Sequence, residues 1–398
     1  MKYIPPSAAA FFLLAIPGAR GQTLDSLLPV GIPGYGTPFS VVADHRLELP
    51  EAMGFQSGAF SAVPSLAASA GYDSAPNTQA GSAVLAATPS LRVSDSLLGL
   101  GAYAAANVAL YPQDNSQNTS GEMLALGERA ALPDETITLA GGYLRGQETG
   151  FALGSVAVSK PVSFVLQNLR ASDEITSGTL TFKPEASATC YSFPGRPAQN
   201  RTDTREVLTT AWAPEGPVQF VLRLGATQSD YAAPGFNATT DQVLAGFVDT
   251  ASGLWTLSAL AGAAQRRTRT GPQLLAPVLE ARLDWMPSDL DRLRLELARE
   301  IDDPDEISAA AYTLTRAKVS LAHEVRTEIT AKFSAEIDNA AYLRSAQRQT
   351  LMQAHAGLNW QLGAHLALVG AYAFNDLQAN DRRAANAHVF TLGMTWTP

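Results

Sequence analysis

Residues 329–338 alternate strictly between apolar and polar side chains. The stretch reads Ile329-Thr330-Ala331-Lys332-Phe333-Ser334-Ala335-Glu336-Ile337-Asp338. Successive side chains of a β-strand point to opposite faces, whereas a helix repeats every 3.6 residues. The period of two therefore predicts a strand with one apolar face and one polar, largely charged face.

The same alternation recurs over most of the chain. Leu293-Arg294-Leu295-Glu296-Leu297 consists of good helix formers, yet its apolar residues fall at every second position, so a strand is predicted there too. Further examples lie at 218–224, 279–285, 352–360 and 390–396. Counting such segments from Ala59 to Trp396 gives about 18 strands, with 16 as the alternative count. The chain is therefore predicted to be all-β.

Composition excludes several classes of protein. The 398 residues carry a net charge of −9, which argues against a nucleic-acid partner. The single cysteine, Cys190, excludes a disulfide framework and a cysteine-rich metal site. Mean hydropathy is near zero, and no stretch after the N-terminus is apolar for the roughly 18 residues that a transmembrane helix needs.

The N-terminal residues differ from the rest of the chain. A basic start at Lys2, an apolar run over Ala8–Ile16 and small residues before Gly21 predict a signal peptide at 1–21, cleaved near Gly21. Residues 22–58 are rich in proline and glycine and lack alternation, so we expect a periplasmic lead-in or partial plug. Residues 59–398 are then the barrel.

Connections between the predicted strands alternate in length. Tight turns are expected near 133–134, 214–216, 287–289, 325–327 and 363–364, and longer polar loops at 112–121, 192–203, 266–273, 302–306 and 375–384. Short periplasmic turns and longer extracellular loops are typical of transmembrane antiparallel β-barrels in the Gram-negative outer membrane. A soluble sandwich or propeller would also alternate, but a single core could not bury so many charged residues.

Four short segments carry a resemblance to a known family. They are Gly71-Tyr72-Asp73-Ser74, Trp285-Met286-Pro287-Ser288-Asp289-Leu290, His323-Glu324-Val325-Arg326 and Gly357-Leu358-Asn359-Trp360-Gln361-Leu362. From about Asp44 to the C-terminus the chain resembles the putative beta-barrel porin 2 type of bacterial outer-membrane barrel. The large apolar residues that alternate up to Trp396 resemble a C-terminal assembly signal, although Pro398, and not an aromatic residue, ends the chain. The resemblance implies an association with exopolysaccharide or capsule systems.

These observations predict a barrel with a polar lumen that passes or exports hydrophilic solute. The predicted lumen-lining residues are Arg223, Arg282, Arg294, Glu296, Arg316, Lys318, Lys332 and Glu336. The alternative is a structural barrel that anchors an envelope complex with its lumen closed; an outer-membrane enzyme is a third hypothesis. We expect contact with outer-membrane lipid and lipopolysaccharide, with polysaccharide or export machinery as a further partner. The oligomeric state is left open.

No catalytic or cofactor site is predicted. His323-Glu324 could begin a zinc-protease motif, but Thr327 stands where the second histidine is needed, so a polar pair at a turn is expected. Asp302, Asp303, Asp305 and Glu306 could bind calcium but lack the spacing of a known calcium loop, which favours a solvated loop. Arg266, Arg267 and Arg269 are placed on a loop, where they either meet lipopolysaccharide phosphates or are solvated.

Overall fold

The computed structural model describes residues 32–35, 54–76, 79–151, 153, 160–269, 273–303, 311–343, 345–380 and 385–398. The predicted signal peptide and most of the predicted lead-in lie outside these residues. No helix in the described ranges has the length and hydropathy needed to cross a membrane.

Nineteen strands follow one another along the described chain. Their bounds are β1 Phe55–Ser57, β2 Phe60–Asp73, β3 Ser82–Asp95, β4 Leu100–Leu110, β5 Thr119–Ala131, β6 Glu135–Glu148, β7 Val162–Ser177, β8 Leu180–Ser192, β9 Arg201–Trp212, β10 Val218–Tyr231, β11 Ala238–Ser252, β12 Trp255–Thr268, β13 Leu274–Ser288, β14 Asp291–Asp302, β15 Tyr312–Arg326, β16 Ile329–Tyr342, β17 Arg348–Gln361, β18 Leu366–Ala379 and β19 Ala385–Trp396. Three short 3₁₀ turns, Asn115–Gln117, Pro197–Gln199 and Pro234–Phe236, lie in the connections.

Strands β2 to β19 form a closed antiparallel barrel of 18 strands. Each strand pairs with its neighbour in the chain, and β19 pairs with β2 from Trp396↔Leu66 to Val389↔Asp73. The prediction of an 18-stranded barrel is confirmed. The short β1 lies within the predicted lead-in; it pairs with the first residues of β2, from Ser57↔Phe60 to Phe55↔Ala62.

The connections differ between the two ends of the barrel. At one end, here called the turn end, they span 96–99, 132–134, 178–179, 213–217, 253–254, 289–290, 327–328 and 362–365. At the other, the loop end, they span 74–81, 111–118, 149–161, 193–200, 232–237, 269–273, 303–311, 343–347 and 380–384. The two-residue turn between β7 and β8 contains Gly178 at φ +60°, a left-handed conformation that glycine adopts without strain.

Several strands run further toward the loop end than the sequence predicts. β12 extends to Thr268, so the prediction that Arg266 and Arg267 lie on a loop is wrong. Likewise β18 continues to Ala379, into a segment predicted to be loop. The reason is that a barrel strand pairs beyond the hydrocarbon layer, where both of its faces can be polar and the alternation is lost.

The outer face of the barrel is apolar. Large side chains at every second position are exposed there, among them Leu169, Leu392 and Trp396. A soluble protein rarely leaves a continuous apolar surface of this extent in water. In a membrane the same surface faces hydrocarbon, and it forms the outward apolar band of a transmembrane barrel.

Candidate functional site

The inner face of the barrel is identified by contacts between strands that are not neighbours. Arg223 on β10 forms an ion pair with Glu280 on β13, although β11 and β12 separate these strands. Side chains on the convex face of a barrel diverge, so such a contact closes only on the concave face. The strand registers then place all eight predicted lining residues on this inner face: Arg223 on β10, Arg282 on β13, Arg294 and Glu296 on β14, Arg316 and Lys318 on β15, and Lys332 and Glu336 on β16.

One carboxylate on this face serves three arginines. Asp284 Oδ2 accepts a hydrogen bond from Arg282 Nε at 2.7 Å, and Asp284 Oδ1 accepts one from Arg294 Nε at 2.7 Å. Arg292 Nη2 lies 3.5 Å from the same Oδ1. Three guanidinium groups therefore share one carboxylate. Arg282 and Asp284 share a face of β13 two residues apart, whereas Arg294 meets Asp284 only through the register of β13 with β14.

A second cluster on β15 and β16 joins two cations to two carboxylates. Arg316 Nε lies 2.8 Å from both Glu336 Oε1 and Asp338 Oδ1, and Lys318 Nζ lies 2.9 Å from Glu336 Oε2. The register sets Glu296 of β14 opposite Lys318, so it faces this cluster from the other side. Charge-assisted bonds of this kind hold side chains in fixed positions along the wall.

The charged inner face of β10 to β16, here called the charged wall, is partly accessible to water. Arg282 and Glu280 expose 42% and 43% of their side chains, whereas Arg294 and Asp338 expose only 8% and 6%. Buried charges are tolerated where partners satisfy them, and the exposed ones keep their hydration. The wall therefore presents a hydrated charged surface supported by a more deeply buried layer of ion pairs.

A third cluster lies near the loop end. Arg266 forms an ion pair with Asp303, and its Nη1 donates to Thr240 Oγ1 at 3.1 Å. Ser229 Oγ donates to Asp303 Oδ2 at 3.3 Å. The prediction of a solvated loop is therefore wrong for Asp303, which is buried against β10 and β12. Asp302 also has a structural role, since its Oδ2 accepts from Tyr312 Oη at 2.8 Å.

The remaining predicted loop groups are only partly described. Asp305 and Glu306 lie outside the described residues. Arg267, on the outer face of β12, forms an ion pair with Asp241. Among the described residues, no group of three or more potential ligand side chains could hold a metal ion.

The connection between β6 and β7 reaches across the mouth of the barrel. Phe151 and Leu153 are buried in one cluster with Tyr312, Tyr342 and Leu351, which belong to β15, β16 and β17. These strands lie on the other side of the barrel from β6 and β7. The loop-end mouth is therefore narrowed by an apolar contact that was not predicted from the sequence, because nothing near Phe151 in the chain identifies its partners.

His323 and Glu324 lie on a strand and face opposite ways. His323 Nδ1 is 2.8 Å from Asp291 Oδ1, whereas Glu324 is buried on the inner face. Ser288 lies on the other side of the same carboxylate, where its Oγ donates to Asp291 Oδ2 at 2.6 Å. The serine hydroxyl is therefore bound to Asp291 and not to the imidazole of His323. A zinc-protease motif needs a helix that brings two histidines to one face, whereas His323 lies on a strand.

Comparison with known proteins bears on this architecture. Residues 261–397 match one family model. Its description is putative beta-barrel porin 2. This part of the chain contains β13 to β19, which carry most of the charged wall. The match, the closed barrel and the apolar outer face together make the chain a porin-like β-barrel of the outer membrane.

Solved structures from Pseudomonas aeruginosa resemble the chain weakly. The siderophore receptor PirA is 11% identical with a TM-score of 0.42, covering 85% of this chain and 80% of its own. OpdK with vanillate is 10% identical with a TM-score of 0.46, covering 85% and 98%. OccK2 (OpdF) is 11% identical with a TM-score of 0.46, covering 84% and 98%. No curated protein matches the chain.

Proposed function

We propose that the barrel passes hydrophilic solutes passively along the charged wall of β10 to β16. The observation that carries this proposal is the partial exposure of Arg223, Glu280, Arg282 and Lys318 on the inner face. Charged side chains that keep water contact inside a barrel indicate a hydrated passage. Selectivity in such a passage follows its radius and lining charge.

The solute class we propose is an exopolysaccharide or its fragments. Ion-paired side chains present donors and acceptors of both signs, which suits the hydroxyl groups of a sugar without favouring one net charge. The family resemblance points to the same class. Of the eight predicted lining residues, those that keep water contact, such as Arg223, Arg282 and Lys318, would then contact solute, and the buried Arg294 would support them through its ion pair with Asp284.

A closed barrel that anchors an envelope complex is the second candidate. The observation that favours it is the apolar contact of Phe151 and Leu153 across the mouth. If this contact is permanent, it blocks the route that the charged wall would otherwise offer.

Planar-bilayer recordings of the purified barrel distinguish the two candidates. We expect channels from the full mature chain, and a conductance about twofold higher from a Phe151→Ala, Leu153→Ala double variant, because a wider constriction admits more ions. Phe236→Ala is the matched control, since this aromatic lies exposed on another loop at the same end. No conductance from the full chain, from the double variant or after removal of residues 22–55 would establish the closed barrel instead.

A further inference from the structure

The inner wall of β4 to β7 is mainly apolar, unlike the charged wall. Tyr103, Met123 and Leu166 face inward there, yet each is buried. A water-filled lumen would leave such side chains wet at a cost of roughly 25 cal/mol for each Å² of apolar surface. Something must therefore cover this wall, and the described residues show what does. Ile32, only 2% exposed, and Tyr35 belong to the same buried cluster.

The wall has a notch that fits this segment. A Cβ atom at Gly127 would collide with the carbonyl oxygen of Pro33, and one at Gly101 would lie 2.7 Å from Pro33 Cδ. Gly34 has φ +83°, and a Cβ there would overlap that of Ala140. Glycines at these positions let the two backbones approach more closely than any other residue allows.

Polar contacts hold the segment in the notch. Arg170 Nη1 donates to the carbonyl oxygen of Gly34 at 2.7 Å. Tyr35 Oη donates to Asn168 Oδ1 at 3.1 Å, and the Arg170 guanidinium lies 5.3 Å from the centre of the Tyr35 ring. Both wall residues are on β7, so the segment is fixed on one side by β7 and on the other by the glycines of β4 and β5.

We propose that Ile32–Tyr35 is a fitted plug segment, docked in this notch, that narrows the passage toward the turn end. Gly101 lies one residue after the start of β4, close to the 96–99 turn, so the segment and the Phe151 contact lie at opposite ends of the barrel. The segment covers the mainly apolar wall of β4 to β7, and the charged wall of β10 to β16 is left to the solute. That the segment narrows a passage for solute rests on the proposed function. That it is docked in the notch rests on geometry alone.

Thiol labelling tests the docking without any measurement of transport. In a Cys190→Ser background, Ile32→Cys is expected to resist a water-soluble maleimide until the barrel is unfolded. Adding Gly127→Ala should expose the thiol and raise its labelling rate at least about tenfold, because the added methyl group occupies the place of the Pro33 carbonyl. Gly370→Ala is the matched control: it adds the same methyl to a strand glycine with no atom within 4 Å. Equal, rapid labelling in all three proteins would overturn the docking.

Bilayer recordings test the narrowing. Gly127→Ala is expected to raise the conductance about twofold over Gly370→Ala, because the segment no longer fills the lumen. Unchanged conductance in a protein whose thiol has become exposed would overturn the narrowing. If no variant conducts at all, the proposed function fails, and the labelling result still decides whether the segment is docked. Altered gel migration of unboiled samples verifies that each variant forms a barrel.

Discussion

Shared carboxylates organise the charged wall at the scale of single residues. Glu336 lies between Arg316 and Lys318, with each of its two oxygens on a different cation. Removing one partner from such a group leaves the other charges uncompensated, which costs more than the pair itself contributes. Neutralising a shared carboxylate should therefore change the electrostatic potential of the wall more than it changes the positions of the side chains.

We predict that Glu336→Gln shifts ion selectivity toward anions. The amide keeps the size of the side chain but removes one negative charge beside Arg316 and Lys318, so the wall gains net positive charge. The measurement is the reversal potential across a salt gradient. Glu122→Gln is the control, because Glu122 is exposed on the outer face of β5. An equal shift in both variants would contradict a passage along β15 and β16.

At the scale of elements, three connections at the loop end each contain the same type of hydrogen bond, from a backbone N–H to an asparagine side chain. The backbone N–H of Tyr111 donates to Asn118 Oδ1 at 2.7 Å, and Phe193 donates to Asn200 Oδ1 at 2.7 Å. The N–H of Tyr231 donates to Asn237 Oδ1 at 2.9 Å. In each case the asparagine ends a 3₁₀ turn and ties it to the end of the preceding strand. The first two loops even share a sequence, an aromatic residue and proline followed by Gln-Asn at the same spacing.

The first of these loops has a further tie. Hydrogen bonds from the hydroxyl and backbone N–H of Ser116 lower the pKa of Asp114. Because the pKa in the folded loop is depressed, the carboxylate stays ionised as the pH falls through the usual range for aspartate. The stabilisation of the loop by the ionised Asp114 carboxylate is lost only when the pH falls through the lowered pKa.

We predict that Asn118→Ala loosens the 111–118 loop. Loss of the hydrogen bond to Tyr111 should cost about 1 kcal/mol, since an unmet backbone N–H at the strand end must find water instead. The expected result is faster proteolysis within the loop of the folded barrel. Asn115→Ala in the same loop is the control, because Asn115 is exposed. If both variants are cleaved at the same rate, the bond to Asn118 is not what orders the loop.

At the scale of the whole molecule, β1 completes the closure of the barrel. The pairing of β19 with β2 stops at Leu66, and β1 takes up the remaining edge of β2 at Phe60–Ala62. The backbone N–H of Gly54 also donates to the carbonyl oxygen of Pro398 at 3.3 Å. An unpaired strand edge can pair with another chain and aggregate. At this seam, β1 covers the free edge of β2, and Gly54 binds the end of the chain after β19.

We predict that β1 stabilises the seam against heat. A chain that lacks residues 22–57 should convert to the unfolded gel form at a lower temperature than one that lacks residues 22–53. Both deletions remove the plug segment, so their difference reports β1 alone. Identical conversion temperatures would show that the closure does not depend on β1.

The fold was predictable because its signal is local. Leu293–Leu297 shows this best: its residue types favour a helix, but its period of two places three leucines on one face, and the structure has it in β14. The ends of strands were less predictable. Arg266 and Arg267 look like loop residues because polarity on both faces is ordinary beyond the membrane, so alternation no longer distinguishes strand from loop there.

The sequence by itself indicated most of the strands, a number of about 18 and which residues of each charged strand share a face, because these follow from the alternation of neighbouring side chains. Only the tertiary structure decided which charges share a partner, as Arg223 and Glu280 do across two intervening strands. The same holds for Phe151 against Tyr342, and for Pro33 against Gly127. Such contacts join residues distant in the chain, and they exist only once the register is set and the sheet has closed on itself.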